Sequence, residues 1–535
     1  MLKNCIKLDF YYKLLLFIAI FKLVTSFLIP INFIQSAQHD DALFVQQALA
    51  LSNLNWLGEY NNRTMIKGAI FPIFLNTSLI FYIPLRLLES LLVIFSSLFF
   101  IRSLNFFKFS NSIKIALFVL LIFSPIIYSS LDYRILRDMI YPWLLLLIIS
   151  QLIIILVSIY RFDKFSWKFT TYNSFILSFF LFIFFGISES FKNIYFILIP
   201  VLFLKLFLLS YGSLNNFYYD TFTLNDFKNP SYVSGYSSIL RVQKDIKTRY
   251  DGPSFETWDL IFDVSPSASK LKSAIKSESY NNWSVMGCKT IIDQRPYLEN
   301  YDCSKNMVSS YLIFSFRDVL WDSGFKTPND IYEIMDDIAF EIDQACDSGL
   351  IVCSRKIHNI LPPSTFTISA FIDAFKNLPF TFKILYESSY PDVKSLYSQG
   401  DYESLEKIAD KFTIKIFPLK NKTPTPVNSF IYQNDEFNVA FFINNILFFT
   451  YSSIGSYGFI LILLILCYFI RCRRFPEALL ISSFLVLIFS RAFMISILNL
   501  TAMAPISPLY LSVGTFGYYV CLIISLILLV NKTLK

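Results

Sequence analysis

The side chains best suited to chemistry are concentrated near the N-terminus. Residues 38–75, QHDDALFVQQALALSNLNWLGEYNNRTMIKGAIFPIFL, join two adjacent carboxylates, Asp40 and Asp41, to a Trp-Leu-Gly-x-Tyr turn and to Lys67, which opens a Lys-Gly-x-x-x-Pro run. Neighbouring carboxylates repel, so one can hold a raised pKa and take a proton while the other pairs with a cation. Lys67 can reach a phosphate, and Arg134 and Arg137, beside Asp138, carry the forked donors that bind phosphate oxygens. The set suits a base working beside an anionic ligand. Taken singly, each residue has a plainer duty: acids favour a helix N-terminus, and Lys or Arg near apolar runs snorkel to the interface. Three cations and two acids in two short loops favour the chemical reading. His39 could orient one acid, although a lone loop histidine is more often simply solvated. His358 has no companion. A divalent metal fits between the acids, but no classical ligand set demands one.

Those loops need apolar elements to hold them at one level. Of the 535 residues 55% are hydrophobic, and several runs approach the roughly 20 residues that a bilayer crossing takes. An ordinary soluble enzyme is excluded. Much of the net charge of +7 lies in short loops beside those runs, where it sets orientation; the expected partner is the lipid bilayer and not nucleic acid. Residues 12–33 form a span preceded by Lys3, Lys7 and Lys13, with no small-residue cleavage site, hence an anchor ending outside. Residues 67–83, interrupted by Gly68, Pro72 and Asn76 and followed by Pro84, read as an interfacial helix. Spans at 86–103, 114–130 and 139–160 follow, and their basic flanks put residues 34–66 and 131–138 on one outer face. Runs at 172–187 and 193–211, joined by a turn containing Glu189, leave the local topology open. Spans at about 440–470, 476–497 and 508–531 close the chain.

Between them, residues 212–437 are polar and long enough for one domain. Cys288, Cys303, Cys346 and Cys353 fall at two short separations, which reads as two local disulfides in an oxidising, extracytoplasmic compartment. Thr327 and Pro328 open a helix with Ile331, Met335, Ile338 and Ile342 on one stripe, and Gly349 closes it. Glu333, Asp336, Asp337 and Glu341 read as its solvated face. Residues 400–412 read as a helix and 412–418 as a half-buried strand. The fold class expected is therefore a mainly α, polytopic membrane protein with a mixed α/β extracytoplasmic domain, divided into modules at 1–211, 212–437 and 438–535. The absence of an internal repeat lowers the case for a transporter built by inverted duplication.

The order of these parts resembles the C-type multispanning glycosyltransferases, which use polyprenyl-phosphate sugars, and in particular a bacterial branch of such membrane proteins. The resemblance lies in Asp40 or Asp41, the turn at 56–60, the Lys67 run, Arg134 with Arg137, and an Ala-Cys-x-x-Gly turn at 345–349. That branch usually has Arg-Glu-acid in the third outer turn, where this chain has Ser188, Glu189 and Ser190, so only Glu189 carries over. The resemblance implies that the first-loop acid is the catalytic base and that Lys67 is a ligand of the carrier phosphate; from the residues themselves Arg134 and Arg137 join Lys67 there, and Glu189, Asp138, His39 and Tyr60 are candidate accessory residues. It implies sugar transfer on the outer face of a bacterial inner membrane, from a polyprenyl-phosphate donor to a glycan, lipid or protein acceptor. The rivals are a transporter or flippase of lipid-linked glycans and a non-catalytic envelope assembly protein.

Overall fold

The computed structural model describes residues 10–27, 31–35, 37, 39–124, 134–160, 194–243, 251–294, 306–387, 398, 400–414, 455, 457–502, 506 and 508–533. Glu189, Cys303 and the run at 172–187 lie outside them. The described chain is mainly helical. Its first part contains α1 (Phe10–Ser26), α2 (Asp41–Ser52), α3 (Ile70–Ile80), α4 (Leu85–Ser103), α5 (Asn111–Ile122), α6 (Tyr141–Tyr160) and α7 (Ile194–Tyr219). A helical domain follows, with α8 (Pro230–Arg241), α9 (Phe255–Val264), α10 (Glu278–Gln294), α11 (Ser309–Asp322) and α12 (Pro328–Asp347). The last part holds α13 (Ile368–Glu387), α14 (Tyr402–Phe412), α15 (Tyr457–Arg471), α16 (Phe475–Thr501) and α17 (Pro508–Thr533).

Among the described residues α16 and the Tyr510–Val530 stretch of α17 are each long and apolar enough to cross a membrane, which makes the chain membrane-associated. The pair α3 and α4 would make a third span if counted as one, but it bends by 115°. The cause is local. Pro84 has no N–H to continue α3 and instead starts α4, Tyr82 takes a left-handed φ of 51°, and Ser78 Oγ caps the corner by donating to Ile83 O at 2.6 Å. The interfacial helix expected at 67–83 is therefore a separate 11-residue helix, and Pro72 sits in its first turn, where a missing N–H costs nothing. The first apolar run is shorter than its sequence suggests: α1 stops at Ser26, and Asn32 forms a parallel bridge with Arg134.

One apolar core joins α1, α4, α5, α6, α13, α15, α16 and α17, with Trp143 of α6 edge-on to Phe516 of α17 at 4.9 Å. A second core belongs to the helical domain, around Trp258, Phe316, Tyr236 and Met335. Gly235 lets α8 press against α12; a Cβ there would come within 2.5 Å of Met335 O. α12 is opened as its sequence dictates: Pro328 occupies the first turn, and Thr327 and Asp330 form a reciprocal capping box. Its stripe of Ile331, Met335, Ile338 and Ile342 is fully buried. Glu333, Asp336 and Asp337 are exposed, but Glu341 is not a solvated acid: it accepts from Ser265 Oγ (2.5 Å), Ser267 N (3.0 Å) and Ser267 Oγ (2.9 Å).

The β content of this domain, among the described residues, is an antiparallel pair of short strands, β1 (Asp251–Ser254) and β2 (Asn306–Val308), with a bridge from Val242 to Cys353. The strand expected at 412–418 does not begin where proposed, because Phe412 ends α14 and Thr413 turns left-handed at φ 48°; residues 415–418 lie outside the described set. Cys346 and Cys353 are bonded to each other, and Cys288 is also disulfide-bonded. Among the described residues of this stretch, α13 contributes Leu378 and Leu385 to the bundle core, and Leu405, Ile408 and Phe412 of α14 belong to a core shared with Ile31, Phe33 and Phe44.

Candidate functional site

α2 begins at the acid pair, and the two carboxylates have different surroundings. Asp40 occupies the N-cap position but makes no side-chain cap bond, so its carboxylate is free to reach across to the Lys67 ammonium, with which it is paired. Its side chain keeps 47% exposure. Burial pushes this carboxyl up, yet the adjacent Lys67 ammonium, with Arg134 and Arg137 behind it, holds it below the ordinary carboxylate range. Asp41 is fully buried and spent. Oδ1 accepts from Arg134 Nη2 at 2.7 Å, while Oδ2 accepts from Arg134 Nε at 3.3 Å and from Ile34 N at 3.2 Å. Burial raises its pKa against that support. The Arg134 fork is therefore committed to Asp41, and the pair ties the second loop to the first.

Lys67 lies just before α3, 12% exposed, with Nζ also 5.2 Å from the Phe44 ring centroid. Burial holds its pKa below the ordinary lysine value, and the Asp40 carboxylate offsets only part of that. Arg137 lies over the Tyr141 ring at 5.9 Å. Burial raises Asp138, countered by Arg137 and by Arg491 of α16. Arg491 anchors itself by donating from Nε to Tyr510 O at 2.7 Å, and Tyr510 is within electrostatic reach of Asp40, Asp138 and Tyr311. Four cations (Lys67, Arg134, Arg137, Arg491) against three carboxylates (Asp40, Asp41, Asp138) leave a cationic excess. Arg491 and Tyr510 were not among the residues the sequence singled out. The available signal was a lone arginine within an otherwise apolar helix, a costly placement that usually has a task.

His39 points into the helical domain. Its ring meets Trp283 at 5.2 Å and Phe314 at 5.3 Å, and Nδ1 is buried with no hydrogen-bond partner among the described residues. Burial, with Arg63 and Lys67 nearby, lowers its pKa to about 4, so it is a neutral packing group at pH 7.

Tyr60 is engaged elsewhere. Its hydroxyl donates to Asp226 Oδ2 at 3.2 Å and accepts from Arg317 Nη2; Arg317 Nη2 also donates to Asp226 Oδ2 at 2.5 Å, and Tyr332 donates to Oδ1 at 2.6 Å. Asp226 and Arg317 are both fully buried. Close by, Asn62 and Trp283 both donate to Asp318, at 2.6 and 2.8 Å. The rest of the turn grips α7: Trp56 Nε1 donates to Asn215 Oδ1 at 2.7 Å and Tyr219 donates to Gly58 O at 2.8 Å. Gly58 holds φ +90°, which explains a glycine there. The Trp-Leu-Gly-x-Tyr turn thus moors the first loop to α7 and to the helical domain.

Asp40, Asp41, Lys67, Arg134, Arg137 and Asp138 are accordingly brought together, with Arg491 added. Among the described residues no three His, Cys, Asp or Glu side chains are grouped to hold a metal ion, and Asp40 and Asp41 have cationic side chains as counter-charges. Chemically the cluster offers one accessible ionised carboxylate beside cations able to hold an anion. Compared with family models, curated proteins and solved structures, the chain matches none.

Proposed function

We propose that the chain is a multi-pass membrane glycosyltransferase of the C-type, moving a sugar from a polyprenyl-phosphate donor to a hydroxyl or amine of a glycan, lipid or protein acceptor on the outer face of a bacterial inner membrane. One observation carries this reading: the half-exposed Asp40 carboxylate pairs with Lys67 near Arg137, and Asp138 beside it faces Arg137 and Arg491, next to helices apolar enough to lie in lipid. Transfer needs a base for the acceptor proton and cations for the departing phosphate. Asp40 suits the base better than Asp41, whose oxygens are occupied by Arg134 and Ile34 N. Lys67, Arg137 and Arg491 suit the phosphate better than Arg134, whose fork is spent. The two tasks are linked. An incoming phosphate competes with Asp40 for the Lys67 ammonium, and as that pair loosens the carboxylate becomes more basic when the acceptor must be deprotonated.

The test is transfer from polyprenyl-phosphate sugars by the purified chain in phospholipid vesicles, read as release of polyprenyl phosphate. Asp40→Asn is expected to bind the carrier and lose turnover. If it instead leaves release at the wild-type rate, the base assignment fails, and translocation of headgroups by the same variant would favour a flippase.

A further inference from the structure

α13 has apolar residues on both sides. One side enters the bundle core: Ala370, Ala374, Leu378 and Leu385 are buried, Ser496 of α16 donates to Ala374 O at 2.9 Å, and Phe375 meets Phe493 at 4.8 Å. Among the described residues the other side is largely uncovered, with Phe371 and Phe375 at its edge against Phe493 of α16. Ile368, Phe371, Ile372, Phe375 and Phe380 are 81%, 43%, 50%, 53% and 53% exposed, the first four at helical i, i+3, i+4, i+7 spacing.

The ends of α13 fix its path. Its N-terminal half lies beside Phe493 and Ser496, near the end of α16 that leads to Ala502, whose carbonyl accepts from Ser310 N of the helical domain at 3.1 Å. Its C-terminal carbonyls are satisfied by α17: Thr515 donates to Leu385 O at 2.9 Å and Tyr519 to Tyr386 O at 3.0 Å. Side-chain donors at a helix end are what backbone needs where water is absent. Tyr519 lies about 17 Å along α17 from Pro508 at 1.5 Å per residue, roughly half of a hydrocarbon core about 30 Å thick. Yet the chain is soon back at the first loop, where Ser398 Oγ accepts from Phe33 N at 3.3 Å and Asp401 N donates to Gln35 at 2.9 Å. The step from Glu387 to Ser398 can span up to about 36 Å, enough for that return.

We infer that α13 is a re-entrant helix, dipping beside α16 and α17 to about mid-depth and returning to the side it came from, and that its uncovered stripe is a contact surface for the hydrocarbon chains of bilayer lipids. The occupant follows from continuity. The stripe extends the exposed apolar surface of α16, where Val486 is 66% and Phe489 42% exposed on a helix able to cross a membrane. Asp373 and Lys376 pair at 3.2 Å on another face of the helix, so their charges offset each other away from the stripe. Lys383, the deepest charge, has a partner, and its long stem lets the ammonium lie away from the helix.

The test places single cysteines at Ile372→Cys and Phe375→Cys, with Phe340→Cys on the exposed face of α12 as the aqueous control, in the full chain carrying Cys5→Ser, Cys467→Ser and Cys472→Ser. In phosphatidylethanolamine–phosphatidylglycerol vesicles with a water-soluble maleimide on both sides, the two α13 sites are expected to react at under a tenth of the control rate, and all three fully in SDS. Nitroxides on the same sites are expected to relax more with oxygen than with a nickel chelate. Maleimide rates within threefold of the control, or nickel access exceeding oxygen access, would overturn the inference, and neither readout depends on transferase activity.

Discussion

Replacing Asp226 by Ala tests whether the first loop is positioned by the helical domain. Arg317 is fully buried, and among the described residues its Nε and Nη1 atoms have no hydrogen-bond partner, so its charge is balanced through Nη2 by Asp226, with Tyr60 as the other acceptor. Removing one member of a buried pair costs about 3–5 kcal/mol, because the other charge stays behind unpaired. The same change frees Tyr332 from its 2.6 Å bond. At about 1.4 kcal/mol per tenfold, that cost corresponds to amide exchange faster by about 10²–10⁴ in α11 and in residues 60–67, provided opening equilibrates before exchange. Hydrogen exchange read by mass spectrometry, with Asp337→Ala on the exposed face of α12 as control, measures it. Asp226→Leu combined with Arg317→Met should recover much of the protection, since both charges leave together. Exchange raised less than threefold in Asp226→Ala would refute the idea that this pair holds the loop.

Three further outcomes follow from the site. Asp40→Asn should lower polyprenyl-phosphate release by about 10²–10⁴ with carrier binding kept, the range for loss of a general base, whereas Asp41→Asn should act first on stability by leaving Arg134 unbalanced; thermal unfolding beside the transfer assay separates them. Lys67→Ala and Arg491→Ala should each weaken binding of a polyprenyl phosphate by about 10- to 150-fold, the loss of one charge-assisted hydrogen bond at about 1.5–3 kcal/mol, measured by calorimetry in detergent. His39 has a folded pKa of about 4 against about 6.5 unfolded, so the unfolded chain binds its proton first as pH falls. Its contribution is therefore complete above pH 6.5 and is lost between there and about pH 4, up to about 3 kcal/mol; in His39→Gln the stability slope across that window should flatten.

What could be read from sequence was whatever the chain writes locally. The start of α12 is spelled by Thr327, Pro328 and Asp330 within four residues, and its buried stripe by the spacing of Ile331, Met335, Ile338 and Ile342. Cys346 and Cys353 are seven residues apart and close on each other. The charged loops were visible as cations and acids crowded beside apolar runs, and their side chains do converge. The rest was written across distance. Tyr60 and Arg317 meet Asp226 from 166 and 91 residues away, so no window of sequence contains the group that moors the turn. Asp40 and Asp41 are alike as letters, and only the fold separates a carboxylate open to a ligand from one enclosed by Arg134 and Ile34 N. α13 deceived for a different reason. Asp373, Lys376 and Lys383 dilute its hydropathy below that of a crossing helix, while its place is set by Ala370 and Ala374, small residues that let α16 approach, and by hydroxyls on α17 that complete its last carbonyls. Hydropathy counts what a segment would lose in lipid alone; it does not count what neighbouring helices supply, and here that supply places a charged segment inside the bundle.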